Sequence, residues 1–194
     1  MKLLMRCVLA LLLFALACFN ASANEIYKID PAHSRIAFSV RHMLGTAKGT
    51  FSKFHGTIEL DKDNPERSSV AVTIQAASID TAIAKRDEHL RSEEFFHVRK
   101  FPEITFTSRT VKQDSARSGQ ISGDLTMHGV SRLVTLRAQL LADPTNNQRM
   151  RWRATTTSIK RSEFGLVWSK SVEAISMIGD TVSIDLEIEA TRPD

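Results

Sequence analysis

Six histidines are the first residues whose type invites chemistry: His33, His42, His55, His89, His97 and His128. A local zinc motif sets two ligands about three to five residues apart, and no pair of these histidines has that gap. His33 and His42 bracket one alternating run and would have to converge in space to share an ion. As hydrogen-bonded residues at strand ends they need none. Asp30, His33 and Ser34 supply the side-chain types of a nucleophilic triad. A triad is defined by geometry, though, and close neighbours on an extended chain do not readily form one. A Gly-x-Ser-x-Gly elbow is also missing. Asp61-Lys62-Asp63-Asn64 opens like a calcium loop, but positions six and twelve are Glu66 and Val72. Those positions call for glycine and glutamate, so a hairpin turn is expected. Gly119 to Gly129 lacks the Gly-Lys-Ser/Thr of a phosphate loop.

Thiol chemistry depends on the first residues. Both cysteines, Cys7 and Cys18, lie there. Lys2 and Arg6 precede an apolar run from Val8 to Ala17, and Ala21-Ser22-Ala23 follows as a small-residue cleavage site. The pattern predicts a secretory signal over residues 1–23, too short in its apolar part for a retained span. Cleavage after Ala23 takes both thiols with it, which excludes a disulfide staple, a cysteine nucleophile and a thiolate metal site. Lipidation of Cys18 is the alternative, and Ala15-Leu16-Ala17 is a poor lead-in for it. Cleavage also takes the formal charge of +4 down to about +2. Lysines and arginines are spread along the chain, so nucleic acid is not an expected partner.

The remainder, 24–194, reads as one domain. Its dominant period is two. Arg35 to His42 puts Ile36, Phe38 and Val40 on one face, and Thr181 to Glu189 alternates in the same way. Eight strands are expected, over 34–42, 49–60, 69–77, 103–112, 119–128, 131–142, 149–160 and 179–190. Turn signals separate them at Asp61–Pro65, Asp114–Gly119 and Asp143–Asn147. Ala82 to Val98 lacks alternation, carries pairs such as Asp87 and Arg91, and follows Thr81, a usable cap. One short helix is expected there. Long strands with one helix predict an all-β fold, an elongated eight-stranded antiparallel up-and-down barrel. A two-sheet sandwich is the rival arrangement.

Eight phenylalanines and two tryptophans remain after cleavage. Such a set makes an ordinary core, or it lines a tunnel with Arg41, His42, Asp87 or His89 holding a head group at the mouth.

Several blocks carry a resemblance. Asp30-Pro31-Ala32-His33-Ser34 with Phe38-Ser39-Val40-Arg41-His42 is followed by Gly49-Thr50-Phe51-Ser52-Lys53-Phe54-His55-Gly56. Ser78-Ile79-Asp80-Thr81, Arg86 to Phe96 and Phe101-Pro102-Glu103-Ile104-Thr105-Phe106 come next. Gly123-Asp124-Leu125-Thr126-Met127-His128-Gly129-Val130 and Lys160 to Gly165 complete the series. In this order, from residue 27 to about 190, they resemble the YceI-like family. His97-Val98-Arg99-Lys100 departs from it, standing where the family is usually more acidic.

The resemblance implies a lipocalin-like barrel in the periplasm with a hydrophobic tunnel for a polyisoprenoid or similar fatty amphiphile. No cofactor is required, although a bound isoprenoid quinone or polyprenyl lipid is expected. On this reading Phe38, Val40, His42, Phe51, Phe54, Ile74, Asp87, Leu90, Phe95, Phe96, Leu125, Met127, Phe164 and Trp168 contact the ligand. The expected function is that of a non-enzymatic carrier. Delivery of a quinone to a membrane redox partner is an alternative, and an enzyme acting on the bound lipid a weaker one. A homodimer would suit exposed barrels.

Overall fold

Alternating Val, Ile, Thr and Phe favour pleated strands with one buried face, and long antiparallel ladders dominate the computed structural model of the chain. It describes residues 24–42, 45–142, 149–168 and 178–193. The predicted signal and both cysteines lie outside them. The strands are β1 (Glu25–Ile29), β2 (Arg35–His42), β3 (Gly45–Phe51), β4 (Phe54–Leu60), β5 (Ser69–Gln75) and β6 (Ile79–Asp80). After the helix α1 (Ala84–Arg91) come β7 (Glu103–Ser115), β8 (Ser118–Met127), β9 (Val130–Ala142), β10 (Arg149–Lys160) and β11 (Thr181–Thr191).

The sheet runs β1-β4-β5-β7-β8-β9-β10-β11, and β1 pairs with β11 to close it. Closure excludes the sandwich, and the short β6, paired with β3 alone, is left at an edge. The edge of β11 meets β1 at Ala190 and Thr191, and β2 from Val182 to Glu187. β1 and β2 therefore share one place in the ring, interrupted at residues 30–34. β3 and β4 share the next, interrupted at Ser52 and Lys53. The result is the eight-stranded up-and-down antiparallel barrel with one helix.

Some expectations need correction. β1 was not expected, because five residues before a Pro-containing turn are a short signal. The run 49–60 begins earlier, at Gly45, and breaks in the middle. The helix is only eight residues long, Ala84–Arg91. Ser92 turns its hydroxyl onto the His89 carbonyl, and His97 adopts a left-handed backbone (φ 46°). Both features end the helix well short of Val98. Thr81 is not its cap: Ile83 holds that position without a side-chain hydrogen bond. Nor do Asp87 and Arg91 pair. Arg91 donates to the carbonyls of Ala77 and Ile79 instead.

The alternating residues face inward as their period requires. Ile36, Phe38 and Val40 on β2, their neighbours Leu186, Ile184 and Val182 on β11, and Val134, Leu136 and Ala138 of β9 all face one interior. Glycine makes room for the rings. A Cβ on Gly49 would lie 2.4 Å from the Phe38 ring and 2.9 Å from the Asp80 carbonyl. At the β8–β9 turn Gly129 has φ +75° and lies against Phe101.

Candidate functional site

The inward faces do not meet. They enclose a cavity of about 520 Å³ that extends from α1 at one end of the barrel to the β7–β8 hairpin at the other. Its volume is ordinary for a small-molecule site. The wall is predominantly apolar and changes character along its length. Toward the hairpin it is aliphatic, with Ile58, Leu60, Val70, Val111, Ile121 and Ile188, and ends on the polar hairpin residues Lys112, Ser115 and Arg117. Toward the helix it is aromatic. Trp168 stacks on Phe95 with centroids 4.4 Å apart, and Phe95 meets Phe96 edge-on at 5.2 Å. Phe96 reaches Phe51 at 6.2 Å, and Phe51 reaches Phe38 at 5.7 Å. Aromatic pairs at such separations add stabilisation beyond their buried area.

Eleven of the fourteen residues expected at the ligand border this cavity: Phe38, Val40, His42, Phe51, Ile74, Leu90, Phe95, Phe96, Leu125, Met127 and Trp168. Three do not. Phe54 shares the face of Ile74 but is packed into the buried core just after the β3–β4 interruption. Phe164 sits in a short 3-10 turn, 1% exposed, where its carbonyl faces the His128 ring at 3.2 Å. It anchors a loop and does not line the wall. Asp87 is buried, and its Oδ1 accepts the Thr81 N–H at 2.9 Å together with the Thr81 hydroxyl. That carboxylate holds the segment before α1.

Of the four residues proposed for the mouth, only His42 borders the cavity. Arg41 is exposed, and His89 pairs with Glu94 at 2.8 Å. Thr81, Arg86 and Arg161 reach the wall instead, and sequence reasoning missed all three. Arg86 and Arg161 look like surface charges in a linear reading. The one available signal was Arg86 beside Asp87 within the Arg86 to Phe96 block.

His33 and His42 do not converge, since His33 precedes the extended strand β2 and His42 is its last residue. His33 instead joins Asp30 and Glu189, whose ligand atoms lie within 4.8 Å of one another. Both carboxylates are already engaged. Asp30 contacts His33 Nδ1 at 2.7 Å and accepts the Ala32 N–H, and Glu189 pairs with Arg149 at 2.8 Å. The His33 contact, then the Ala32 N–H, hold the Asp30 carboxyl below its ordinary range. This is the chemistry of a braced turn. Asp61 likewise accepts the N–H groups of Asp63 and Asn64, which makes the expected turn in place of a calcium loop.

A closed antiparallel barrel around an apolar lumen defines a class, that of lipocalin-like β-barrels. Within that class the comparisons are specific. The model of the YceI-like domain matches residues 27–190, and the chain belongs to this family. It is 39% identical over 163 residues to Protein YceI of Escherichia coli O157:H7, covering 80% of this chain and 84% of that protein. The fold matches BcnA of Burkholderia cenocepacia with a TM-score of 0.76 and 23% identity, over 84% of this chain and 99% of that one. It also matches a polyisoprenoid binding domain from Saccharophagus degradans, with a TM-score of 0.64 and 19% identity, over 86% and 98% of the two chains.

Proposed function

We propose that this protein binds and carries a long-chain polyisoprenoid, or a similar single-chain amphiphile, inside its barrel. The observation that carries the reading is the continuous apolar cavity along the barrel. The described polyisoprenoid-binding character of the S. degradans domain supports it. So do the energetics. Each buried methylene contributes about 0.8 kcal/mol, so some 15–20 of them give roughly 12–16 kcal/mol gross. Association and ordering cost about 4–15 kcal/mol of that. The surplus is enough for useful affinity with few polar contacts.

Binding is favoured over catalysis by the wall itself, which has no carboxylate beside His42 among the described residues. A catalytic histidine is commonly oriented by such a carboxylate. We also propose export to the periplasm with cleavage after Ala23, supported by the pattern of residues 1–23. The intact mass of the protein recovered from that compartment checks this step.

Titration of lipid-stripped protein with geranylgeraniol tests the carrier reading, with the fluorescence of Trp152 and Trp168 as the signal, since both border the cavity. Saturable one-to-one binding is expected. It should be lost in Ala154→Phe, which fills the lumen from a wall position. Unchanged binding in a folded Ala154→Phe protein would place the guest elsewhere.

A further inference from the structure

Charge on the cavity wall has one sign. Arg86, Lys112, Arg117 and Arg161 border the cavity, and no aspartate or glutamate does among the described residues. Three of these cations have evident local roles or solvent. Arg161 donates to the carbonyls of Leu166, Ile178 and Gly179. Arg117 donates to those of Leu140 and Leu141, and Lys112 is exposed on the hairpin arm.

Arg86 differs. Its Nε donates to Thr81 Oγ1 at 2.8 Å and a terminal nitrogen donates to the Thr81 carbonyl at 2.9 Å. Thr81 is itself held, because its N–H and hydroxyl both donate to buried Asp87. The guanidinium is thus oriented by a braced threonine. Two of its five donors are used, and none goes to a carboxylate among the described residues. A cation beside an apolar lumen is costly to desolvate without an anionic partner. The guanidinium fork matches carboxylate and phosphate oxygens.

We propose that Arg86 is the specificity-determining group of the cavity. It selects amphiphiles whose head carries anionic oxygen, as carboxylate or phosphate, over neutral guests with the same chain. Thr81 and Asp87 are its positioning residues. The inference rests on the carrier reading above and adds the end at which the head sits and the charge it carries.

The test compares farnesyl phosphate with farnesol, and palmitate with hexadecanol, on the lipid-stripped full-length mature chain. The two pairs separate phosphate from carboxylate as the source of the anion. Wild type should prefer the anionic member of at least one pair by about 10- to 100-fold. Arg86→Gln should bring that preference to within about 3-fold, weakening the anionic member far more than the neutral one. Thr81→Val should lower the same ratio, and Thr81→Ser should restore it, which a merely structural role would not do. If Arg86→Gln does not fold, Arg86→Lys keeps the charge but loses the fork and must still cut the preference several-fold.

Equal binding of both members of each pair by wild type would overturn the proposal. So would a preference that survives Arg86→Gln and disappears in Lys112→Gln, which would put the head at the hairpin end. Failure of farnesol and farnesyl phosphate alike to bind would bring down the carrier reading, and the selector with it.

Discussion

The two ends of the barrel solve different problems. At the hairpin end β7 and β8 turn directly into each other after a register shift at Gln113/Ser115: Ser115 and Ser118 share a hydrogen bond of 2.7 Å, and Arg117 closes onto the carbonyls of Leu140 and Leu141. At the helix end the strands give way to α1, a 3-10 turn over Arg161–Phe164 and three non-glycine residues with positive φ, Ala82, His97 and His128. Such backbone costs about 1–3 kcal/mol per residue and persists only where the surroundings over-determine it. Here they do. Asp80 accepts the Ala82 N–H at 2.7 Å, and Phe101 lies between the rings of His97 and His128. The irregular end also carries the aromatic wall and the Thr81–Asp87–Arg86 network. The strained end therefore holds a braced, half-buried cation, whereas the cations of the hairpin end, Lys112 and Arg117, are exposed.

Substitutions can break this contrast. The largest effect is expected from Phe164→Ala, at about 3–5 kcal/mol of stability, because a large side chain leaves a packed position. Urea unfolding measures it, and Val111→Ala on the hairpin side should cost clearly less. Next comes Asp87→Ala, which leaves the buried Thr81 N–H without its acceptor, at about 1–3 kcal/mol. Ser115→Ala, its exposed counterpart, should stay within about 0.5 kcal/mol. Equal losses at these two sites would remove the distinction between the ends. Gly129→Ala should cost about 1–2 kcal/mol from backbone conformation. The added Cβ would also lie 2.6 Å from the Phe101 ring.

The smallest expected effect is that of pH. Asp180 lies at the helix end. Burial would raise its pKa, but the Ser162 N–H and hydroxyl, with Arg161 and Lys160, outweigh burial and lower it. Glu25 is lowered by its contacts with Lys62 and Tyr27. A carboxyl with a lowered folded-state pKa stabilises above its unfolded value and loses that contribution as pH falls through the folded one. The thermal unfolding midpoint should therefore fall below about pH 4. The fall should soften in Asp180→Asn.

Legibility in the sequence followed the same division. The long ladders were readable because period two matches the lumen-facing residues of β2, β9 and β11, so the inward sets followed from alternation. β1 escaped because its five residues are too few to show a period. At the helix end, meaning lies in contacts between segments. Asp87 looked like half of a surface charge pair and is a buried acceptor, while Arg86 looked like solvated surface and reaches the lumen. Phe54 and Phe164 show the same limit, since aromatic identity does not separate a wall from the core behind it.

The central claim is that the lumen holds an amphiphile. Extraction of the natively purified, undenatured protein into organic solvent, followed by mass spectrometry, tests it most directly. The account predicts a single-chain lipid near one per protein, absent from an Ala154→Phe preparation. A lipid-free extract from repeated native preparations, together with a lumen filled by the protein's own side chains in an experimental structure, would contradict it.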